Sequence, residues 1–322
     1  MIHLAIVALP LLLLGAPLVA QGQPGGKVPR IGWLTSSVIH EPNLNALREG
    51  MRAPGYGEVS IEFRAAAGHA DRLPTFASEL VRLKVDLILV DGGAAAPAAK
   101  HATSDVPVVV GAMADPVRDG IVASLARPGG NITGFSISTG PELIGKRLDL
   151  IREAVPGLTR VAVVWNEGNP SSRAGLKDVT GAAKALAIAI VPLGVLDAPG
   201  ISRAFADAVR SRVGAVLTVS DAFLWSERAH IVRQAARHRL PAIYPSPEFV
   251  TAGGLIAYGP NIPDNFRRAA AYVDRILKGS RPGELPFQQP TKFDLLVNLK
   301  TAKALGLTIP PSLLLQAAQV IE

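Results

Sequence analysis

The sequence contains no cysteine in its 322 residues. That absence excludes a disulfide framework, a thiolate metal site, an iron–sulfur cluster, a thiol nucleophile and a lipid-modified N-terminal cysteine. Charge is sparse, at 18% Asp, Glu, Lys and Arg, and aromatic residues make up only 5%. With 48% hydrophobic residues, the composition lies far from that of disordered chains. Lys and Arg number 33 against 26 Asp and Glu, a net charge of +7. Such a balance admits nucleic acid, an anionic membrane or an acidic ligand, and selects none of them. The length allows one large core, but division into two domains is the commoner outcome.

Local signatures of catalysis are also missing. The histidines are His3, His40, His69, His101, His230 and His238; none forms H-E-x-x-H or a pair four residues apart. Gly134-Phe-Ser136-Ile-Ser138 fails the G-x-S-x-G pattern at its last position. No G-x-G-x-x-G opens a helix after a strand. Gly140–Lys146 spells G-x-x-x-x-G-K, but Arg147 stands where a phosphate loop needs Ser or Thr. Glu142–Val155 has amphipathic helical spacing, which puts Lys146 on a solvated face. Basic residues concentrate only at Arg233–Arg239 and Arg267–Lys278, both on predicted helices, a pattern of solvated faces rather than of a nucleic-acid partner. A two-lobed DNA-binding regulator would carry an N-terminal headpiece, where this sequence has an apolar segment. Neither a catalytic residue nor a metal or cofactor site is assigned, and a site scattered over several loops stays open.

Residues 1–20 form that apolar segment, with His3 as the only polar side chain. Pro10, Gly15 and Pro17 interrupt it, and Ala20 precedes a polar, Gly/Pro-rich stretch. The pattern predicts a secretory signal cleaved after Ala20 or nearby; a retained anchor is the alternative. No later run is long and apolar enough for a membrane span. An exported, cysteine-free chain fits a bacterial periplasm.

From Val28 onward, β-branched runs alternate with helical patterns. Strands are predicted at Arg30–Thr35, Val59–Arg64, Val85–Val90, Val106–Gly111, Ile132–Ile137, Arg160–Asn166, Ile190–Val195, Ala215–Ser220, Pro241–Tyr244 and Gly254–Gly259. Runs such as LILV and VAVV suit parallel strands covered on both faces. Leu73, Phe76, Ala77, Leu80 and Val81 follow helical spacing, as do Ile144, Leu148, Ile151 and Val155. The alternation predicts an α/β fold of doubly wound, Rossmann-like units. The pattern around Arg30, Asp91 and Pro107 returns at Arg160, Asp221 and Pro241, at offsets of 130, 130 and 134 residues. Two similar lobes in tandem follow.

Ligands bind outside the carboxyl ends of parallel strands. A cleft between facing lobes would then be lined by Thr35–Ser37, Asp91–Gly93 and Met113–Asp115 on one wall. Trp165–Asn169, Ser220–Asp221 and Tyr244–Glu248 would line the other. Asp115 before Pro116 also fits an N-cap with proline at the first helical position.

Three long blocks carry a family likeness: Asp115–Gly134, Tyr258–Ile262 with Arg267–Gly279, and Gln289–Leu307. In them the chain, from Val28 to Glu322, resembles the ABC-transporter substrate-binding proteins described as tryptophan/tyrosine transport components. The resemblance implies a type I periplasmic-binding fold of two hinged lobes, capture of a small solute, and a permease with its ATPase subunit as partners. It implies a soluble, monomeric, non-lipidated periplasmic protein without a cofactor. The expected lobes are residues 28–138 plus 261–285 and residues 139–260 plus 286–322. Crossings are expected at Ser136–Gly140, Tyr258–Ile262 and Pro282–Pro290, with Gly140 and Gly259 as hinge candidates.

In such a site Thr35, Ser36, Gly92 and Gly93 would sit before helix N-termini, whose N–H groups favour a carboxylate. Asp91-Gly92-Gly93 departs from the hydroxyl residue commoner in that family after this strand, which weighs against a carboxylate there. Met113 falls on the same wall. Asp221 or Glu248 could accept an ammonium, with Asn166 and Ser220 beside them. Trp165, Tyr244 and Tyr258 could supply apolar walls or hydroxyls. The structural alternatives are an N-cap for Ser220 or Asp221 and packing for Trp165. A ligand-sensing receptor lobe for a membrane signalling partner is the alternative function, and an enzyme of the same fold the third.

Overall fold

The structure, a computed structural model, describes residues 28–56, 59–137 and 140–322. The predicted leader at 1–20 lies outside the described residues. Five strands form the first sheet: β1 (Arg30–Thr35), β2 (Ser60–Ala65), β3 (Leu87–Asp91), β4 (Val108–Met113) and β5 (Ile132–Ser136). Seven form the second: β6 (Arg160–Asn166), β7 (Ala189–Val195), β8 (Ala215–Thr218), β9 (Ala242–Tyr244), β10 (Ile256–Pro260), β11 (Phe293–Asn298) and β12 (Gln319–Ile321).

The first sheet has the order β2-β1-β3-β4-β5, and every pairing in it is parallel. The second runs β12-β11-β10-β9-β8-β6-β7, so β7-β6-β8-β9-β10 repeats the order of the first sheet. The near-constant offsets in the sequence are the trace of this repeated topology. At the far edge, β11 pairs antiparallel with β10 and β12 pairs parallel with β11.

The continuous apolar runs are needed because both faces of each sheet are covered. Leu87, Ile88, Leu89 and Val90 of β3 are all fully buried. Ile88 and Val90 face a cluster with Leu73, Ala77 and Leu80 of the helix Leu73–Arg82. Leu87 and Leu89 face the opposite cluster, with Leu47 of the helix Glu41–Arg52 and Phe266 and Val273 of the helix Ile262–Leu277. The ring of Trp33 in β1 stacks on Phe266, 5.0 Å between centroids and 3° from parallel. Each such large apolar side chain contributes on the order of 1.5–3 kcal/mol by leaving water.

The chain therefore passes between the lobes repeatedly. The helix Ile262–Leu277 follows β10 of the second sheet yet packs on the first. The returning segment stays with the first sheet through Gln288, whose N–H donates to Gly134 O at 2.9 Å and whose carbonyl accepts from Ser136 N at 2.8 Å. It then crosses to β11.

Near these crossings lies a buried cation. Arg147, on the helix Pro141–Ala154, is 2% exposed. Its Nε donates to Tyr258 O at 2.7 Å, and its guanidinium reaches Pro245 O at 3.4 Å. Burial pulls its pKa down to about 10. Gly259 lies alongside, where a Cβ would overlap the Pro245 carbonyl. Lys146, from the phosphate-loop look-alike, points outward and donates to Gln316 Oε1 at 2.9 Å in an exposed bond.

Candidate functional site

Between the sheets, at the carboxyl ends of their strands, lies a cleft of about 190 Å³. Loops after β1, β3 and β4 form one wall, and loops after β6, β8 and β9 form the other. The β1 loop is built by local hydrogen bonds: Ser37 N donates to Thr35 Oγ1 at 3.1 Å, and Ser36 N donates to Asp91 O at 3.3 Å. Gly92 turns the chain out of β3 with φ +97°, and a Cβ there would overlap Ser36 Oγ. Glycine is required at this position on both counts.

Asp91 closes the first wall. It receives one long hydrogen bond, 3.4 Å, from Asn43 Nδ2. Burial pushes its carboxyl up to about 6, and the Asn43 bond and the His40 charge only partly oppose this. His40 reaches across the cleft, with Nε2 3.3 Å from Glu248 Oε1. Its ring meets Trp225 edge-on at 5.3 Å. Deeper along the same opening, Ser171 Oγ donates to Asp119 Oδ2 at 3.0 Å, and Arg118 pairs with Asp178 at 2.8 Å. These contacts hold the two walls together.

Asp221 anchors the second wall. Its Oδ1 accepts from Leu224 N at 3.0 Å and so caps the short helix Ala222–Ser226. Asn169 Nδ2 donates to Oδ2 at 2.7 Å, and Asn166 Nδ2 lies 3.2 Å from both oxygens. Both amides are locked in this orientation. Asn169 Oδ1 accepts from Ser171 N and Asn166 Oδ1 from Gly168 N, each at 3.0 Å. The N-cap alternative is thus realised, and the same carboxylate also faces the cleft.

Of the residues singled out in the sequence, Thr35, Ser36, Asp91, Gly92, Gly93, Met113, Ser220, Asp221 and Glu248 line the cleft. Four do not. Trp165 is 7% exposed in the second core, with Arg173 5.0 Å over its ring, which is the packing alternative. Asn166 acts one step back, by holding Asp221. Tyr244 is 1% exposed and stacks on Phe249 at 4.8 Å. Tyr258 stacks on Phe293 at 6.0 Å and offers its carbonyl to Arg147. All four lie on strands, whose alternation sends these side chains to the sheet faces or to strand partners. Asn169 and Ser246 lie within the wall segments expected from the sequence, and the cleft gains His40, Asn43, Ser171 and Trp225. Most of these lie within the first turns of helices that open on the cleft. That location is a signal a sequence reading could use once helix starts are fixed.

Among the described residues, no group of three or more His, Asp or Glu could hold a metal ion, and no helix is long and apolar enough to cross a membrane.

The sequence profile of the family described as ABC transporter substrate binding protein matches residues 38–321. The chain belongs to this family. Relatives of this substrate-binding protein include a curated tyrosine-binding protein of Clostridioides difficile, 25% identical over 279 residues, which cover 84% of this chain and 80% of that one. Its fold matches the ABC domain in complex with L-Trp from Streptococcus pneumonia with a TM-score of 0.84, at 24% identity over 92% of this chain and 100% of that one. The ligand-free, open structure of a substrate binding protein with adhesive properties from Clostridium difficile gives 0.68, at 24% identity over 91% and 99%. The architecture is the type I periplasmic-binding fold expected from the sequence, and a small-molecule ligand belongs to the family role.

Proposed function

We propose that this substrate-binding protein captures a small amino-bearing organic solute in the cleft by lobe closure, leaves it unaltered, and delivers it to an ABC permease with its ATPase subunit. The lobes divide close to the boundaries read from the sequence, except that the return to the second lobe comes after Gln288 rather than after residue 285, and the protein works as a monomer. The setting is the periplasm, reached through the leader at 1–20.

One observation carries the reading. Ser36 Oγ, Ser37 Oγ, Asn43 Oδ1, Ser246 Oγ and Glu248 Oε2 are buried atoms on cleft-lining residues, and none has a hydrogen-bond partner. Buried polar atoms without partners cost on the order of 1–3 kcal/mol each, and clustering at one cavity marks the place where a ligand supplies the bonds. The wall-to-wall contacts of His40, Asp119 and Arg118 support a closed arrangement. So does the higher similarity to the L-Trp complex than to the open, ligand-free structure. Asp221 is suited to an ammonium, because it lines the cleft and its three donors are neutral amides that leave its negative charge without a counter-ion. The relatives' tyrosine and L-Trp make aromatic amino acids the first compounds to test.

A thermal-shift screen over amino acids, aromatic acids and amines tests this, since a ligand of the native state raises the apparent melting temperature. Recovery of the bound compound unchanged after prolonged incubation is expected. Its conversion would instead indicate an enzyme.

A further inference from the structure

The cleft is uneven in what it asks of a ligand. Its lining includes the carboxylates Asp91, Asp119, Asp221 and Glu248, while among the described residues His40 is the only basic one and neither Lys nor Arg lines it. Asp119 is served by Ser171 and Arg118, and Asp221 by three N–H donors. Asp91 has only the long bond from Asn43. Glu248 uses one oxygen on His40, and its Oε2 is buried without a partner.

Two of the unpartnered atoms can only accept, and the serine hydroxyls can serve either way. Asn43 is 4% exposed, and its Nδ2 is committed to Asp91, so its free atom is the acceptor Oδ1. Glu248 Oε2 is likewise an acceptor. Ser36, also 4% exposed, has a hydroxyl that can serve either way. The end of the cleft between Asp91, Asn43 and Glu248 is therefore rich in acceptors and in negative charge, with a neutral hydroxyl at Ser36 as a free donor. A ligand carboxylate placed there would meet two carboxylates and an amide oxygen. Elsewhere the lining includes the apolar side chains of Met113, Ile137, Trp225, Pro260 and Ile262.

We propose that the ligand carries two cationic nitrogen heads joined by an apolar spacer, an organic diamine or amino-guanidine, with one head at Asp221 and the other between Asp91, Asn43 and Glu248. The inference rests on the solute-binding role and specifies its substrate class. A cation at the second position would also relieve the desolvation that raises Asp91. The zwitterionic aromatic amino acids would leave that end unpaired.

Isothermal titration calorimetry of the full mature chain with cadaverine, agmatine, L-tyrosine and L-tryptophan tests the assignment. Cadaverine or agmatine is expected to bind, and the two amino acids to bind at least tenfold more weakly. Asp91→Asn keeps an acceptor for Asn43 and should weaken diamine binding about thirtyfold or more, because it removes one partner of a desolvated charge pair. Glu248→Gln, on the opposite wall, should act in the same direction and carries the test if Asp91→Asn fails to fold. Binding of the amino acids without the diamines would overturn this inference and leave the solute-binding role standing. Diamine binding unaffected by both substitutions would overturn the placement of the second head. Absence of binding by all four compounds would overturn the inference, while the role would still be judged by the wider screen.

Discussion

Replacing Asp221 by its near-isostere should be at least as damaging as truncating it. In Asp221→Asn, either orientation of the new amide directs its NH₂ against an existing donor. One orientation faces Leu224 N, 3.0 Å from Oδ1, and the other faces Asn169 Nδ2, 2.7 Å from Oδ2. Neither neighbouring amide can rotate away, because Asn169 Oδ1 and Asn166 Oδ1 are held by Ser171 N and Gly168 N. Hydrogen bonds to a charged acceptor contribute about 1.5–3 kcal/mol each, and the site is partly solvated, so the loss is about 2–3 kcal/mol. At about 2–4 °C per kcal/mol for a unit of this size, the melting temperature should fall by about 4–12 °C. Asp221→Ala loses the helix cap, about 1 kcal/mol, but frees Asn166 and Asn169 to meet water in the cleft. Its drop should be no larger than that of the Asn variant. The assay is thermal unfolding of the ligand-free protein, followed by circular dichroism. An Asn variant melting within about 1 °C of wild type would refute the argument that converging donors fix this carboxylate.

Asp91 should give the ligand-free protein a pH signature. Its carboxyl rises from 3.8 to about 6 on folding, so the folded chain holds this proton more tightly than the unfolded chain. The stabilisation is present below about pH 4 and is lost as pH rises through about 6. Asn43 and His40 face the group, with Glu248 behind His40. Asp91→Asn should therefore gain on wild type in melting temperature from pH 4 to 7, and a constant difference across that range would count against it. Gly92→Ala should lower stability by about 1 kcal/mol or more and weaken ligand binding, since its φ of +97° disfavours a side chain and the Cβ meets Ser36; unchanged melting and affinity would refute it. Arg118→Ala removes a half-exposed pair with Asp178, worth about 0.2–1 kcal/mol. Ligand affinity should fall only about two- to fivefold, and the difference should shrink in high salt; a hundredfold loss would mean that the pair does more than hold the lobes together.

The ten strands read from the sequence match β1 to β10; the inner ones are legible because strands covered on both faces must be apolar throughout, a local requirement that the partly exposed edge strands β2 and β7 meet only in part. The strand β11 lacked such a signal. Its Phe293 and Asp294 are only partly buried, and the segment runs directly into a helix at Leu299. Its antiparallel pairing with β10 depends on where the chain returns. The cleft loops were legible where they follow strands at their carboxyl ends, as with Thr35, Asp91 and Asp221. His40, Asn43 and Trp225 were not, because their placement depends on the direction in which a helix leaves its loop. The aromatic candidates Trp165, Tyr244 and Tyr258 were chosen for their chemistry. Strand geometry turned them into packing residues.

The helix Ile262–Leu277 also sets a constraint on time. Trp33 is among the first described residues to leave the ribosome, yet its stacking partner Phe266 emerges only after β6 to β10. Until then the face carrying Ile31, Trp33, Leu87 and Leu89 has no cover from that helix. The N-terminal lobe cannot seal on its own, so its completion is tied to synthesis of most of the chain. Contacts spanning so much sequence form slowly. Truncation before Ile262 would leave this apolar face of the first lobe uncovered, converting a late-folding step into a permanent site for aggregation.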